Sequence, residues 1–251
     1  MTTRQVVVIL ITVFTVACQK DATVFQHANT TYRHDLHVGA SCRDLVSDKY
    51  YKSLVIEMQY IGNYLPAAST IDSLEGMLNC HINKPGGISV TAKQIQPSDD
   101  LFSLAGIKGI EDRNRTTFTK GDTLAIYVLC LDGFYADDSL VLGAAYRNTS
   151  IVMFGKSVRL DAANSQTPVP ELEATVLEHE FGHLMGLVDE GAPMIRNHRD
   201  TNHSNHCSNP DCLMYYEAND GYYLSQGGSQ LTRIPVLDSA CVADLRAIGG
   251  K

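Results

Sequence analysis

Positive charge is scarce in this sequence. Its 251 residues include 20 lysine and arginine residues against 28 aspartate and glutamate residues, which gives a formal net charge of −8 at pH 7. A nucleic-acid-binding surface usually appears as a basic stripe, and the sequence has none. We therefore exclude nucleic acid as the partner. The acidic balance fits a soluble exported protein but does not select a substrate.

Internal repeats and low-complexity segments are also missing. Hydrophobic residues make up 44% of the chain and charged residues 19%, which excludes a disordered or fibrous protein. The length fits one sizeable domain, alone or with a smaller flank.

The longest apolar run near the N-terminus is too short for a bilayer. Val6 to Ala17 would span about 18 Å as a helix, whereas a bilayer core needs about 30 Å. The run follows Arg4 and ends at a small residue, which is typical of a secretory signal. Thr15-Val16-Ala17-Cys18 resembles the lipobox of bacterial lipoproteins, in which the cysteine is lipidated. An ordinary signal peptide that is cut after Ala17 is the alternative.

This resemblance implies a location. Residues 1–18 would be a signal peptide, and Cys18 would carry a lipid that anchors an exported protein in the bacterial cell envelope, at the outer membrane or the cell surface. Residues 19–48 are polar and are predicted to be a tether, or N-terminal extension. Residues 49–251 would form the main domain.

Apolar patterns predict an α/β fold with helices packed on a twisted sheet. Strands and helices alternate in the first half, several strands follow, and a helix begins near Glu171. The predicted elements before that helix are the strands Ser53–Tyr60, Ile88–Ile95, Thr123–Leu131, Leu140–Tyr146 and Ser150–Phe154 and the helix Ser69–Asn79.

Two histidines and a glutamate on this last helix predict a metal site. His179 and His183 are four residues apart, so one helical turn directs both imidazoles to the same point. A zinc ion binds such nitrogens at about 2.0–2.1 Å. Glu180 lies beside the metal and can move a proton between the attacking water and the leaving amine.

The residues after the helix extend this pattern. Gly186 stands where the chain turns sharply and where a positive φ is needed. Asp189 can supply a carboxylate as the third ligand. Three protein ligands and a water form the open geometry of a catalytic zinc site.

The run His179-Glu180-x-x-His183-x-x-Gly186-x-x-Asp189 resembles the long zinc motif of metzincin metalloproteases, in the variant with Asp as third ligand that snapalysin-type enzymes have. The resemblance implies a zinc-dependent metalloendopeptidase that acts on proteins or peptides, and we expect a monomer. It also implies a mixed sheet with an antiparallel edge strand, an active-site helix and a small irregular C-terminal subdomain.

Three further features follow from the same resemblance. Met214 would be the methionine of the turn below the zinc, and Tyr216 would stabilise the reaction intermediate, although a packed aromatic side chain is the alternative. Leu142 to Tyr146 resembles the edge strand that binds extended substrate.

The seven cysteines raise the question of a second metal site or a disulfide. Cys207, Cys212 and Met214 have the spacing of archaemetzincins, which add a later CxxC for a second zinc ion. This chain has the lone Cys241 there, so a disulfide between Cys207 and Cys212 is predicted in place of that ion.

Other metal ligands remain as alternatives. A histidine of the insert after Asp189, namely His198, His203 or His206, can replace Asp189 at the zinc, and Glu190 can act as an acceptor behind a ligand. Asp132, Asp137 and Asp138 can bind Ca²⁺, although a polar turn is the favoured interpretation. Two other functions are a surface binding or adhesion module that has lost catalysis and an amidase that acts on cell-wall peptides.

Overall fold

The computed structural model describes residues 31–96, 101–218 and 233–251. The signal segment and Cys18 lie outside these residues. Residues Tyr32–Lys251 form one compact unit. In the described part, no helix has both the length and the apolar character that a membrane crossing needs.

A five-stranded sheet with the order β2-β1-β4-β7-β6 forms the centre of the fold. All neighbouring strands are parallel except β6 and β7, which are antiparallel. A second, two-stranded parallel sheet pairs β3 with β5. The strands are β1 (Ser53–Tyr60), β2 (Ile88–Gln94), β3 (Leu101–Phe102), β4 (Thr123–Leu131), β5 (Phe134–Tyr135), β6 (Gly143–Arg147) and β7 (Ser150–Phe154).

Strand β4 shows why the sheet is buried on both faces. From Leu124 to Leu131 every residue is buried, which suits a continuous apolar run in the middle of a parallel sheet. Its side chains contribute to two hydrophobic clusters, a larger one with Leu124 and Ile126 and a smaller one with Tyr127 and Leu129.

Helices cover the two faces unequally. Side chains of α2, α4 and α5 pack in the larger cluster, and Ile107 of α3 packs in the smaller cluster. The sequence did not predict α1, α3, α4 or α6. The helices are α1 (Cys42–Val46), α2 (Ala68–His81), α3 (Leu104–Asn114), α4 (Gly155–Ser165), α5 (Val169–Leu184) and α6 (Ser239–Ala247).

Helix α5 is the most deeply buried helix of the described chain, and every residue from Leu172 to Leu184 is buried. Pro170 lies in its first turn, where proline is tolerated because the N–H groups there have no partner within the helix. The helix ends at Leu184, and Gly186 follows with φ = 77°. A Cβ atom at Gly186 would come within 2.7 Å of the Cβ atom of Cys42, so the turn requires glycine.

Part of the predicted N-terminal extension packs on the compact unit. Leu45 and Val46 of α1 are buried in the larger cluster, and the Tyr32 hydroxyl donates to Ser41 Oγ over 2.7 Å. His34 Nδ1 lies 2.8 Å from Thr149 Oγ1. These contacts make residues 32–46 part of the compact unit, which polar composition alone did not indicate.

Candidate metal centre

Three histidines meet at the end of α5. His179 and His183 belong to α5, and His206 belongs to the irregular segment between α5 and Met214. Each offers a nitrogen, and these three nitrogens lie within 4.8 Å of one another. The Nε2 atoms of His179 and His183 are 3.0 Å apart. His179 is fully buried and His183 is 8% exposed.

A backbone carbonyl or a carboxylate lies next to the other nitrogen of each ring. His179 Nδ1 is 2.8 Å from the carbonyl oxygen of Leu213, His183 Nδ1 is 2.6 Å from Glu190 Oε2, and His206 Nδ1 is 2.8 Å from the carbonyl oxygen of Ser204. These acceptors require a proton on Nδ1, which leaves a lone pair on each Nε2. The three Nε2 atoms therefore carry the lone pairs that a metal ion needs.

The Nε2 atom of His206 is buried and has no hydrogen-bond partner among the described residues. Such an orphaned nitrogen is costly unless a ligand satisfies it. Tetrahedral zinc with bonds of about 2.0–2.1 Å separates two ligand nitrogens by about 3.3 Å, which is close to the 3.0 Å between His179 and His183. The donor set therefore fits a zinc ion.

Burial keeps two of the rings neutral. It lowers the pKa of His179 well below the usual value, and the neighbouring His183 and His206 add to this effect. The pKa of His206 falls to about 4, first through burial and then through His183. For His183, burial also lowers the pKa, but the hydrogen bond to Glu190 and the charges of Glu180 and Glu190 outweigh it, so the pKa is raised.

Asp189, the predicted third ligand, is not part of this group. Its side chain is 54% exposed, and Oδ2 pairs with Arg199 over 2.8 Å. Val188 and Asp189 both have positive φ, at 54° and 71°, so the chain bends twice after the glycine turn. The structure thus brings His206 to the two helix histidines in place of the predicted residue, because the following loop folds back over them.

His203, from the same insert, has different partners. His203 Nδ1 is 2.9 Å from Asp200 Oδ2, and its ring stacks on Tyr216 with centroids 3.6 Å apart. The Tyr216 hydroxyl donates to Glu217 Oε1 over 3.2 Å. The role of Tyr216 at the zinc stays a prediction.

Glu180 lies on α5 next to the histidines and is 1% exposed. Its Oε2 atom accepts a hydrogen bond from the backbone N–H of Ala145 on β6 over 2.6 Å. This contact joins the carboxylate of the predicted base to the edge strand. The carboxylate is therefore held between the candidate metal histidines and the strand that was predicted to bind substrate.

Glu190 orients the second histidine. Besides accepting from His183, its carboxylate accepts a hydrogen bond from the side-chain amide of Asn205 over 3.2 Å. A carboxylate behind a ligating imidazole fixes the tautomer and makes the ring a stronger ligand.

Met214 lies below the helix turn that joins the two histidines. It is fully buried, and a Cβ atom on Gly182 would stand 2.2 Å from its Sδ atom. Only glycine at position 182 lets the methionine approach this closely. Because the neighbouring Leu213 carbonyl accepts from His179, the same turn also orients one of the candidate ligands.

A second group of ligand atoms lies beside this turn. His198, Cys207, Asp238 and Cys241 offer atoms within 4.8 Å of one another. His198 Nδ1 is 3.4 Å from Cys207 Sγ and 3.8 Å from Cys241 Sγ, and Cys212 Sγ is 3.6 Å from Cys241 Sγ.

The predicted disulfide between Cys207 and Cys212 is therefore not formed, and both thiols are free. The short sequence spacing suggested a pair of these two cysteines, but it did not indicate that His198 and the distant Cys241 lie next to them. Hydrogen bonds from Cys207 and Cys241 lower the pKa of Cys212, which favours a thiolate at this position.

The carboxylate of Asp238 makes other hydrogen bonds. Its Oδ1 atom caps α6 by accepting from the N–H groups of Ala240 and Cys241, over 2.9 Å each. The other oxygen, Oδ2, accepts a hydrogen bond from the side-chain amide of Asn209 over 3.0 Å.

His198 Nε2 is 2.8 Å from Asp244 Oδ2, so Nδ1 is left to face the sulfurs. With Cys212, whose Sγ lies next to Cys241, one nitrogen and three sulfurs form a candidate four-ligand set.

The aspartates considered for Ca²⁺ form no such group among the described residues. Asp132 instead pairs with Arg159.

No family model matches the sequence, and a search of curated proteins finds no match. Among solved structures, the chain is similar to the crystal structure of archaemetzincin from Methanopyrus kandleri, with a TM-score of 0.50 and 15% sequence identity. The similarity covers 80% of this chain and 96% of that chain. The predicted fold is therefore confirmed: an archaemetzincin-like α/β fold with a mostly parallel sheet and an antiparallel edge strand. At this identity the likeness concerns the fold alone.

Proposed function

We propose that the chain is a zinc-dependent metalloendopeptidase. His179, His183 and His206 would hold the zinc ion, and Glu180 would be the general base and acid. The single observation that carries this is the buried Nε2 atom of His206, which has no hydrogen-bond partner among the described residues. It lies beside the Nε2 atoms of two helix histidines whose other nitrogens are held in place.

When bound, zinc would polarise the scissile carbonyl and lower the pKa of a water molecule. Glu180 would take the proton of the attacking water and deliver it to the leaving amine. The Ala145 N–H holds one oxygen of this carboxylate, so the base has a defined position before substrate binds. Strand β6 would bind the peptide backbone by strand addition, next to that base.

The decisive experiment compares wild type with Glu180→Gln on casein and on a peptide library, with zinc measured in both proteins. The amide keeps the shape of the side chain but cannot carry the proton, so activity falls by at least about 100-fold while zinc stays bound. Glu178→Gln on the same helix is the matched control, because Glu178 is buried but bonds to Ser73. Equal activity in wild type and Glu180→Gln rejects the assigned mechanism.

The alternative functions give different results in the same assay. A binding or adhesion module would retain zinc and cleave none of the substrates. An amidase would leave casein intact and cleave cell-wall peptides in a manner that depends on Glu180.

We also propose a structural zinc ion held by His198, Cys207, Cys212 and Cys241. With bonds of about 2.3 Å to sulfur and about 2.0–2.1 Å to nitrogen, tetrahedral zinc places two sulfurs about 3.8 Å apart and a sulfur and a nitrogen about 3.6 Å apart. The separations of 3.4, 3.6 and 3.8 Å support this assignment. A closed set of four ligands is typical of a structural site.

The location of the protein is a separate proposal, which rests on the apolar run Val6 to Ala17 and on Cys18. The chain would be exported and held at the cell envelope by a lipid on Cys18. Incorporation of a labelled fatty acid into wild type but not into Cys18→Ser supports it, and equal labelling of both overturns it.

A further inference from the structure

A cavity of about 930 Å³ lies along β6. At one end it is lined by Glu190 and Asn205, the residue bonded to His183 and the residue before His206. At the other end the lining is apolar and aromatic. That end includes Leu104, Ile107, Tyr135, Tyr146 and Phe154. The cavity thus runs from residues that flank the candidate metal centre to an apolar pocket beside α3.

The two ends differ in charge. The carboxylates of the lining, Asp189 and Glu190, are both at the metal end, and none of the described residues that line the apolar end is charged. Ile107 and Phe154 form its floor and are 1% exposed, whereas Leu104 stands at its rim and is 40% exposed. A bulky apolar group would lose its contact with water there, and a charged group would find no partner.

Strand β6 determines what kind of molecule can reach both ends. It pairs with β7 on one side, and no described strand pairs with its other side. Its side chains alternate between the two faces of the sheet. Ala145 packs on the larger cluster, on the α5 side, and Ala144 and Tyr146 pack on the smaller cluster, on the α3 side. An extended peptide added to this edge would alternate in the same way. Every second side chain would then face the α3 side.

We infer that the protein selects extended peptides with a bulky apolar side chain, which enters the pocket of Leu104, Ile107 and Tyr146 on the α3 side of the edge strand. This inference rests on the proposed function and specifies its substrate class. Complete burial of one leucine or phenylalanine side chain corresponds to about 10- to 100-fold in affinity.

Binding is measured with the zinc-loaded full chain carrying Glu180→Gln, so that cleavage does not interfere. The probes are fluorescent eight-residue peptides of alanine, serine and lysine, in which phenylalanine or aspartate occupies each position in turn. At one position or more, we expect phenylalanine to bind at least 10-fold more tightly than aspartate. Equal affinity of the two peptides at every position overturns the inference.

A change of preference provides the sharper test. Leu104→Arg in the same protein should remove the preference for phenylalanine and favour aspartate at that position. Damage to the fold would weaken the binding of both peptides, so tighter binding of the aspartate peptide has to come from the new arginine. Leu160→Arg is the matched control, because Leu160 is also partly exposed, at 48%, and lies on α4 outside the cavity lining. An unchanged preference in Leu104→Arg contradicts the pocket assignment.

The proposed function can fail independently. If the wild-type protein with zinc cleaves no peptide of the library, the endopeptidase proposal fails while the binding preference is still measured. If it cleaves peptides without regard to apolar residues, only the pocket inference fails.

Discussion

The ring of His206 stacks on the ring of His179, with centroids 5.2 Å apart and an angle of 25° between the planes. His206 reaches this position because the loop that carries it folds back: Arg199 and Cys207 form an isolated β-bridge, and the Cys207 N–H donates to the Met214 carbonyl over 2.7 Å. The methionine turn therefore positions two of the three histidines, His179 through Leu213 and His206 through Cys207.

The first prediction concerns the third ligand. His206→Ala should lose zinc from the catalytic centre, because an open site with two histidines holds the ion weakly. Asp189→Ala should keep it, since Asp189 pairs with Arg199. Zinc content and peptidase activity are measured in both, with His203→Ala as the control histidine from the same loop. Loss of zinc in Asp189→Ala alone would restore the aspartate to the ligand set.

The second prediction concerns Glu190. Its carboxylate lies 2.6 Å from Nδ1 of His183, so Glu190→Gln should weaken zinc binding by about 10- to 100-fold without removing a ligand. Titration with a chelator of known affinity measures the change. Asp189→Asn changes the neighbouring carboxylate and should have little effect. Equal affinities in all three proteins would show that Glu190 does not act through His183.

The third prediction concerns the cysteine cluster. Purified wild type should contain two zinc ions per chain, and Cys241→Ser should contain one. Peptide hydrolysis by both proteins is measured in a separate assay. Because a structural ion stabilises only the folded state, Cys241→Ser and chelation should both lower the melting temperature. Cys80→Ser is the control, since Cys80 is exposed and outside the cluster. A thiol count showing that Cys207 and Cys212 are oxidised in the purified protein contradicts the metal assignment.

The fourth prediction concerns acid stability and His34. Burial, and then the charge of Arg115, lower the pKa of His34 from about 6.5 to about 3. The folded protein therefore binds this proton less readily than the unfolded chain, so the contribution of His34 to stability is complete above pH 6.5. It declines as the pH falls toward 3, by at most about 1.4 kcal/mol per pH unit.

Urea unfolding of wild type and His34→Gln between pH 4 and 7.5 measures this contribution. The candidate metal histidines are present in both proteins, so their effect cancels in the difference between them. The advantage of wild type should shrink as the pH is lowered. A difference that stays constant with pH would show that His34 does not titrate in this way.

Strong local patterns predicted most of the sheet and the helix of the site. The run Ser53–Tyr60 is β1 itself, Thr123–Leu131 is β4, and the helix predicted from near Glu171 is α5. Long apolar runs and helical spacing identify such elements because burial dominates their energetics. Helices α3 and α4 were missed because their patterns are weak: α3 buries only Ile107 and Glu111, and α4 is rich in small and polar residues.

The sequence by itself determined the pair of imidazoles and the glutamate, since a helix has a fixed spacing and places His179 and His183 one turn apart wherever it lies. It also indicated Glu190 as an acceptor behind a ligand. Only the tertiary structure decided that His206 and not Asp189 approaches them, and that Cys207 and Cys241 meet at His198. These choices depend on how irregular loops return to the helix. Loop backbones have no repeating geometry, so their long-range contacts and not their sequence spacing decide which side chains meet.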